Sequence, residues 1–371
     1  MAIYIERLNI DCFRGIQGLI LDNLNHVNII AGDNNSGKTS VLEAMLLLRN
    51  PKEFNNILRI SRNRDMSAPF CTVPIYENFM NLFPRTIYQK EISVNGICMG
   101  RPVVCRLTGW QKSILLAPED LPIKHRPFSG RERFRPYPET PETDAFIGDL
   151  YYDIGRKQGF SEIMFHTYSR TTGREFGRDN YINIIYLSPT DHLRGNIINK
   201  IIRDDLYKDI CLNVLRLFDP EIIDLLYLKN EDSSRPIEYI KHAALGSMPV
   251  STYGDGIKKV LSLANGIAQA ANGILMIDEL ETAIHSKYYD DIFRFIVKAC
   301  MQFQVQVFIT THSMEAIDGL LATQDYDTQD SDDISVITFK KDSDNNRTYS
   351  RILPGRRVYS NREEFGFEVR L

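Results

Sequence analysis

Apolar positions along the chain fall into runs of two kinds. Val27-Asn28-Ile29-Ile30-Ala31, Ile274-Leu275-Met276-Ile277 and Val305-Gln306-Val307-Phe308-Ile309 are short and nearly continuous. That pattern predicts buried strands. Segments with helical spacing flank them: residues 39–46 follow the first run and residues 257–268 precede the second. Strands alternating with helices predict an α/β fold with a mostly parallel sheet covered on both faces. Ahead of the first run, residues 3–10 read as a strand, Cys12-Phe13-Arg14-Gly15-Ile16 as a bend, and residues 18–21 as a strand that pairs back, giving N-terminal antiparallel strands. Residues 183–187 predict a further apolar strand, while 197–217 and 221–226 read as helices separated by Asp219-Pro220.

Between Pro51 and Asn180 the pattern changes. Prolines and arginines are frequent, and strand signals shrink to residues 91–94 and 103–107. Residues 170–180 are polar and without period. This predicts one domain made of residues 1–50 and 181–371, interrupted by a mixed insertion, 51–180, that is a candidate partner-recognition subdomain. There is no internal repeat and no heptad run long enough for a coiled-coil arm.

Composition narrows the class. The 371 residues are 43% hydrophobic and 25% charged, with net charge −4, as in globular proteins that lack an overall cationic field. The six cysteines form no C-x-x-C pair and no zinc spacing. The N-terminus lacks a signal-peptide pattern and no apolar run approaches a membrane span, so a cytoplasmic location without membrane partners is expected.

Three motifs carry chemistry. Gly32-Asp33-Asn34-Asn35-Ser36-Gly37-Lys38-Thr39 is a complete G-x-x-x-x-G-K-[ST] phosphate-binding loop (Walker A), entered by a predicted strand and left by a predicted helix that begins with Thr39 and Ser40. Its backbone N–H groups suit phosphate oxygens, Lys38 suits the β- and γ-phosphates, and the Thr39 hydroxyl suits Mg²⁺. Ile274-Leu275-Met276-Ile277-Asp278-Glu279 is an apolar strand ending in two carboxylates (Walker B). Asp278 is placed to hold Mg²⁺ or its water, and Glu279 to orient the attacking water. Thr310-Thr311-His312-Ser313 closes the next apolar strand, where His312 can hydrogen-bond a γ-phosphate or that water.

Other segments are less specific. Ser251-Thr252-Tyr253-Gly254-Asp255-Gly256 opens a helix 24 residues before Asp278. Gly254 and Gly256 there suit a signature motif that contacts nucleotide bound to a partner subunit. Arg14 in the first bend suits phosphate oxygens or a salt bridge. Lys124 to Arg135 is basic with interleaved aromatics, as a nucleic-acid contact, an acidic-partner contact or a solvated loop would be. The acidic run from Asp325 to Asp333 lacks EF-hand spacing and reads as an exposed linker.

In order and kind these motifs resemble the ABC-type P-loop ATPases of the OLD/RecF/SMC branch. The resemblance rests on Phe13-Arg14-Gly15, GDNNSGKTS, STYGDGIKK, ILMIDELE with His285 after Glu281, FITTHS, and the final Gly366 to Arg370. It covers about residues 1–50 and 182–371. The signature is not LSGGQ, Ser251 is offset from the glycines, and the Q-loop glutamine is open between Gln89 and Gln111. With 58 residues after Ser313, the Toprim nuclease domain of many OLD relatives is not expected. The resemblance is to short bacterial members, AAA-family ATP-binding proteins of phage-defence systems. It implies an ABC-type head, binding of ATP and Mg²⁺, hydrolysis to ADP and phosphate, and an ATP-joined homodimer or higher assembly. It further implies control of a separate nuclease or toxin. The alternative is a RecF-like DNA-binding ATPase of repair or chromosome maintenance.

Overall fold

The computed structural model describes residues 2–33, 36–64, 73–85, 89–116, 142–169, 180–194, 197–229, 236–326, 332–341 and 347–365. Asn34, Asn35, the Lys124 to Arg135 stretch, most of 170–180, residues 327–331 of the acidic run and the Gly366 to Arg370 tail lie outside the described residues.

The chain begins with strands β1 (Ile5–Phe13), β2 (Ile16–Leu21) and β3 (Val27–Ala31) and helix α1 (Lys38–Met45). Next come α2 (Phe54–Ser61), α3 (Ile75–Met80), β4 (Lys90–Cys98), β5 (Arg101–Leu115), β6 (Glu142–Asp153) and β7 (Gln158–His166). Then follow β8 (Ile184–Leu187), α4 (Asp205–Leu215), β9 (Ile222–Leu228), β10 (Ile237–His242), β11 (Gly246–Pro249), α5 (Asp255–Gln269) and β12 (Ile274–Ile277). The last elements are α6 (Tyr289–Gln302), β13 (Gln306–Thr311), α7 (Met314–Leu321), β14 (Ile334–Lys341), β15 (Thr348–Pro354) and α8 (Gly355–Phe365).

Two compact units result. One comprises residues 1–7, 20–42 and 182–371, the other 8–19 and 43–181. The division departs from the expected 1–50, 51–180 and 181–371, because the first bend and the end of α1 beyond Leu42 cluster with the interrupting segment. Asp11 of β1 shows why. Its carboxylate accepts hydrogen bonds from Ser93 Oγ (2.7 Å) and Asn95 Nδ2 (3.1 Å) of β4.

The larger unit is built on a sheet of order β15-β14-β3-β13-β12-β8. All its pairings are parallel except β14 with β15, as the alternation of strands and helices predicted. The apolar runs are buried along their whole length, because a parallel sheet is covered on both faces. The register pairs Ala31 with Thr311, and Ile277 with both Ile309 and Leu187. The carboxyl ends of β3, β13, β12 and β8 therefore lie side by side. A second, antiparallel sheet runs β11-β10-β9. Here the expected helix at 221–226 is a strand, with Leu225 opposite Ile240 and Leu226 opposite Tyr239. Six residues with two adjacent isoleucines fit either period, and pairing with β10 decides. Over 197–204 the expected α-helix shrinks to a 3₁₀ turn, Ile201–Arg203; α4 starts after Asp204, whose carboxylate caps it by accepting from Tyr207 N at 3.0 Å.

The smaller unit holds most of a six-stranded sheet, β2-β1-β4-β5-β6-β7. Its strands are longer than expected, and β6 and β7 carry no clear sequence signal. Glycine opposes glycine in the middle: Gly109 pairs with Gly148. A Cβ on Gly109 would lie 2.5 Å from the Ile147 carbonyl oxygen, and one on Gly148 only 2.1 Å from that of Thr108. These two glycines permit a close approach of two backbones.

Gln306 fastens the N-terminal strand. Fully buried, it accepts from Tyr4 N (2.9 Å) and Ile5 N (2.8 Å) and donates to the Ile5 and Asn25 carbonyls (2.9 Å each). Gln306→Leu orphans those backbone groups, and its expected cost is on the order of 3 kcal/mol in urea unfolding. Loss below about 0.5 kcal/mol would show that the staple is dispensable.

Helix α5 buries a lysine. Lys259 is 2% exposed, and burial lowers its pKa to about 8 against the opposing pull of Asp191, Glu281, Asp278 and Glu279. Its folded pKa lies below the unfolded one, so the folded state binds fewer protons between them. The penalty is full below about pH 8 and fades as pH rises toward the ordinary lysine value. Lys259→Met is expected to stabilise by about 3 kcal/mol at pH 7, with the difference from wild type shrinking as pH approaches 10. A pH-independent difference would contradict this.

Candidate functional site

The site is assembled at the carboxyl ends of β3, β12 and β13, where open α/β sheets place their ligands. Strand β3 delivers the chain into the loop after Ala31. Gly37, at φ 97°, turns it into α1, a conformation that a side chain strains. Helix α1 begins at Lys38, so its free N–H groups face the loop. The Ser36 hydroxyl is buried and lacks a hydrogen-bond partner among the described residues. A Cβ on Gly32 would stand 3.0 Å from Ser36 Oγ, a tight contact. A loop with an orphaned hydroxyl and bare backbone fits phosphate.

Lys38 is nearly buried. Its ammonium donates to the carbonyls of Gly32 (2.7 Å) and Asp33 (2.8 Å), holding the loop closed on itself. Burial lowers its pKa, and Asp278, Glu279, Glu281 and Asp33 oppose that shift. Thr39, one residue on, donates from Oγ1 to Asp278 Oδ1 at 3.2 Å. The two oxygens expected to flank Mg²⁺ thus converge. The donor set of hydroxyl and carboxylate suits a hard cation that completes its shell with water and phosphate oxygens. Ser40 follows Thr39 in the first turn of α1.

Asp278 is more heavily bonded than the sequence implied. Thr310 Oγ1 donates to Oδ1 at 2.6 Å and the Tyr186 hydroxyl to Oδ2 at 3.0 Å. Thr310 in turn accepts from Glu279 N at 2.8 Å. Glu279 adopts φ 49°, a left-handed conformation that costs about 1 kcal/mol in a residue with a side chain. Its Oε2 lies 3.4 Å from Thr282 Oγ1. Such strain, fixed by its surroundings, concentrates at functional positions. The sequence motifs assign no role to Tyr186, and none to Thr310 beyond closing its strand. Their signal is a polar group breaking into an apolar strand end.

His312 is placed by Glu281. The imidazole Nδ1 lies 2.8 Å from Glu281 Oε1, and the same oxygen accepts from His312 N at 2.8 Å. The carboxylate fixes the ring orientation, and the side chain remains about half exposed. Ser313 caps α7 by accepting from Ala316 N at 3.1 Å. His285 caps a short turn instead, accepting from Lys287 N.

Gly254 caps α5, and a Cβ there would meet nothing within 4 Å. Gly256 is tighter, its Cβ position lying 3.3 Å from Ala283 O and from the Phe218 ring. Arg14 is engaged elsewhere. In the smaller unit its Nε lies 2.8 Å from Oε2 of fully buried Glu43, and Arg64 Nη2 lies 2.7 Å from the same oxygen. Of its two expected roles, the geometry shows the salt bridge. Gln111, one Q-loop candidate, donates to Asp144 across β5 and β6 at 3.2 Å.

Parts of the chain are similar to known proteins. Residues 3–99 match the family model described as an AAA ATPase domain, and residues 184–318 match one described as AAA domain, putative AbiEii toxin, Type IV TA system. An ATP/GTP phosphatase of Helicobacter pylori is 22% identical over 85% of this chain and 87% of its own length. A DNA replication and repair protein RecF of Symbiobacterium thermophilum is 28% identical over 36% of each chain, so this chain spans about a third of that relative. The solved structure of an Smc head bound to the C-winged helix domain of ScpA superposes with TM-score 0.51 at 13% identity, covering 96% of this chain and all of that one. At that identity the likeness speaks for the fold alone. Loop, paired carboxylates and family models converge: the chain is a P-loop ATPase, with a fold like that of an Smc head and a partial similarity to RecF.

Proposed function

We propose that this ATPase is a Mg²⁺-dependent switch, in which ATP joins two copies of the chain and hydrolysis releases them. The observation that carries the proposal is the contact of Thr39 with Asp278, because it brings the loop and the paired carboxylates into one cation-binding geometry. ATP supplies the phosphoanhydride; Thr39 and Asp278 would hold Mg²⁺, which would supply charge neutralisation at the phosphates. The loop N–H groups and Lys38 bind the phosphates. Glu279, held by Thr310, orients the attacking water, and His312, fixed by Glu281, donates to the γ-phosphate. Positioning and charge neutralisation are what phosphoryl transfer asks of a protein. Gly254 and Gly256 are assigned to the partner copy's nucleotide, since a bare helix N-terminus admits a phosphate closely.

The output proposed is control of a separate nuclease or toxin in bacterial anti-phage defence, in the cytoplasm. What supports it is the toxin–antitoxin description of the model matching residues 184–318. Among the described residues no helix is long and apolar enough to cross a membrane. A RecF-like DNA-binding ATPase is the second reading, supported by the RecF likeness. The two part on one measurement: duplex or gapped DNA accelerates turnover in the second reading and leaves it unchanged in the first.

Glu279→Gln is expected to keep ATP affinity within about twofold and to cut steady-state turnover roughly 100-fold, the scale of a lost general base. Turnover at the wild-type rate would remove Glu279 from that role. Gly254→Arg is expected to fold normally, because its Cβ meets open space. It should abolish most hydrolysis while leaving ATP affinity of the single chain intact. Full activity per chain at concentrations where the protein is monomeric would refute the assignment in trans.

A further inference from the structure

The smaller unit presents a built surface that nucleotide chemistry does not use. Strands β5, β6 and β7 carry three rows of side chains on one face. Trp110, Ile147 and Met164 lie in register in one row, and Arg106, Tyr151 and Phe160 in another. Between them Thr108, Asp149 and Glu162 align. Trp110 is 47% exposed, Met164 63% and Phe160 73%. Large apolar side chains grouped on an open face mark interaction sites. The middle row sets two carboxylates directly opposite each other, an arrangement that destabilises a sheet. No lysine or arginine among the described residues is recorded in an ion pair with either one.

Among the described residues, strand β7 ends the sheet. It runs nine residues, Gln158–His166, without proline or lysine, the residues that most often blunt an edge against pairing. Antiparallel self-pairing about its centre would set Glu162 against its own copy. The edge therefore disfavours a second copy of this chain and suits an oppositely charged strand.

We propose that β7 and this face accept an extended segment of a partner protein, added as a seventh strand, in which a basic residue lies between two apolar residues at alternate positions. The apolar residues extend the rows of Phe160 and Met164, and the basic one meets Glu162 and Asp149. The carboxylate row repels phosphate, so the partner is polypeptide and not nucleic acid. The inference names a surface for the separate partner of the proposed switch and stands on this face, not on the nucleotide site.

The test uses the full chain and two dye-labelled peptides, Ser-Thr-Val-Thr-Arg-Thr-Leu-Thr-Ser and its counterpart with Glu for Arg, titrated by fluorescence anisotropy. The Arg peptide is expected to bind at least about tenfold more tightly, less so at high salt. Glu162→Lys should reverse the preference. The double variant Phe160→Ser, Met164→Ser should lose both peptides yet keep wild-type ATPase activity and melting temperature, since both side chains face solvent. Equal binding of the two peptides, binding of neither, or an unchanged preference in Glu162→Lys overturns the proposal. Binding of neither peptide by a protein that still assembles with ATP removes this surface and leaves the switch standing. Loss of ATP-dependent assembly with peptide selectivity intact does the reverse.

Discussion

The Asp278 carboxylate is where the larger unit's fold becomes chemistry. Tyr186 from β8, Thr310 from β13 and Thr39 from α1 all donate to it. These elements are far apart in sequence and meet only because β3, β13, β12 and β8 are parallel and in register at their carboxyl ends. A buried carboxylate is costly unless its oxygens are bonded, and three hydroxyls meet that need here. The same bonds fix its orientation toward the loop. A one-residue slip of β12 would turn Asp278 to the opposite face of the sheet and dissolve the arrangement.

Thr310 extends this constraint. By accepting from Glu279 N it holds that residue in a left-handed conformation. The following backbone is reused as well, since Leu280 N donates to the Thr310 carbonyl at 3.1 Å. Glu281 then anchors His312 at the end of the neighbouring strand. Asp278, Glu279 and Glu281 thus form a continuous hydrogen-bonded edge with Thr310 and His312. Lys38 contributes a cation, and Lys259 approaches the same carboxylates from α5.

Much of this was legible in the sequence because its signals are local. A glycine loop between an apolar strand and a helix, and carboxylates after four apolar residues, need no tertiary context. Hidden features were those decided by partners distant in the chain. Tyr186 looks like an ordinary strand aromatic until β8 pairs with β12. Gln306 looks like a flaw in an apolar run until its amide meets Tyr4, Ile5 and Asn25. Residues 221–226 fit two periods, and β10 chose the strand. Arg14 carries a charge suited to phosphate, but Glu43 occupies it. The outward face mixes Arg106, Thr108 and Trp110 in β5 with Ile147, Asp149 and Tyr151 in β6, which erases the alternation on which strand recognition depends.

The switch proposed for this chain converts bound ATP into association of two copies. Sedimentation velocity of the Glu279→Gln protein addresses it most directly, because slowed hydrolysis preserves the ATP-bound form. With ATP and Mg²⁺ the mass is predicted to at least double relative to the same protein with ADP, and to fall back when Mg²⁺ is chelated. A mass that is the same with ATP, with ADP and without Mg²⁺ would contradict the claim.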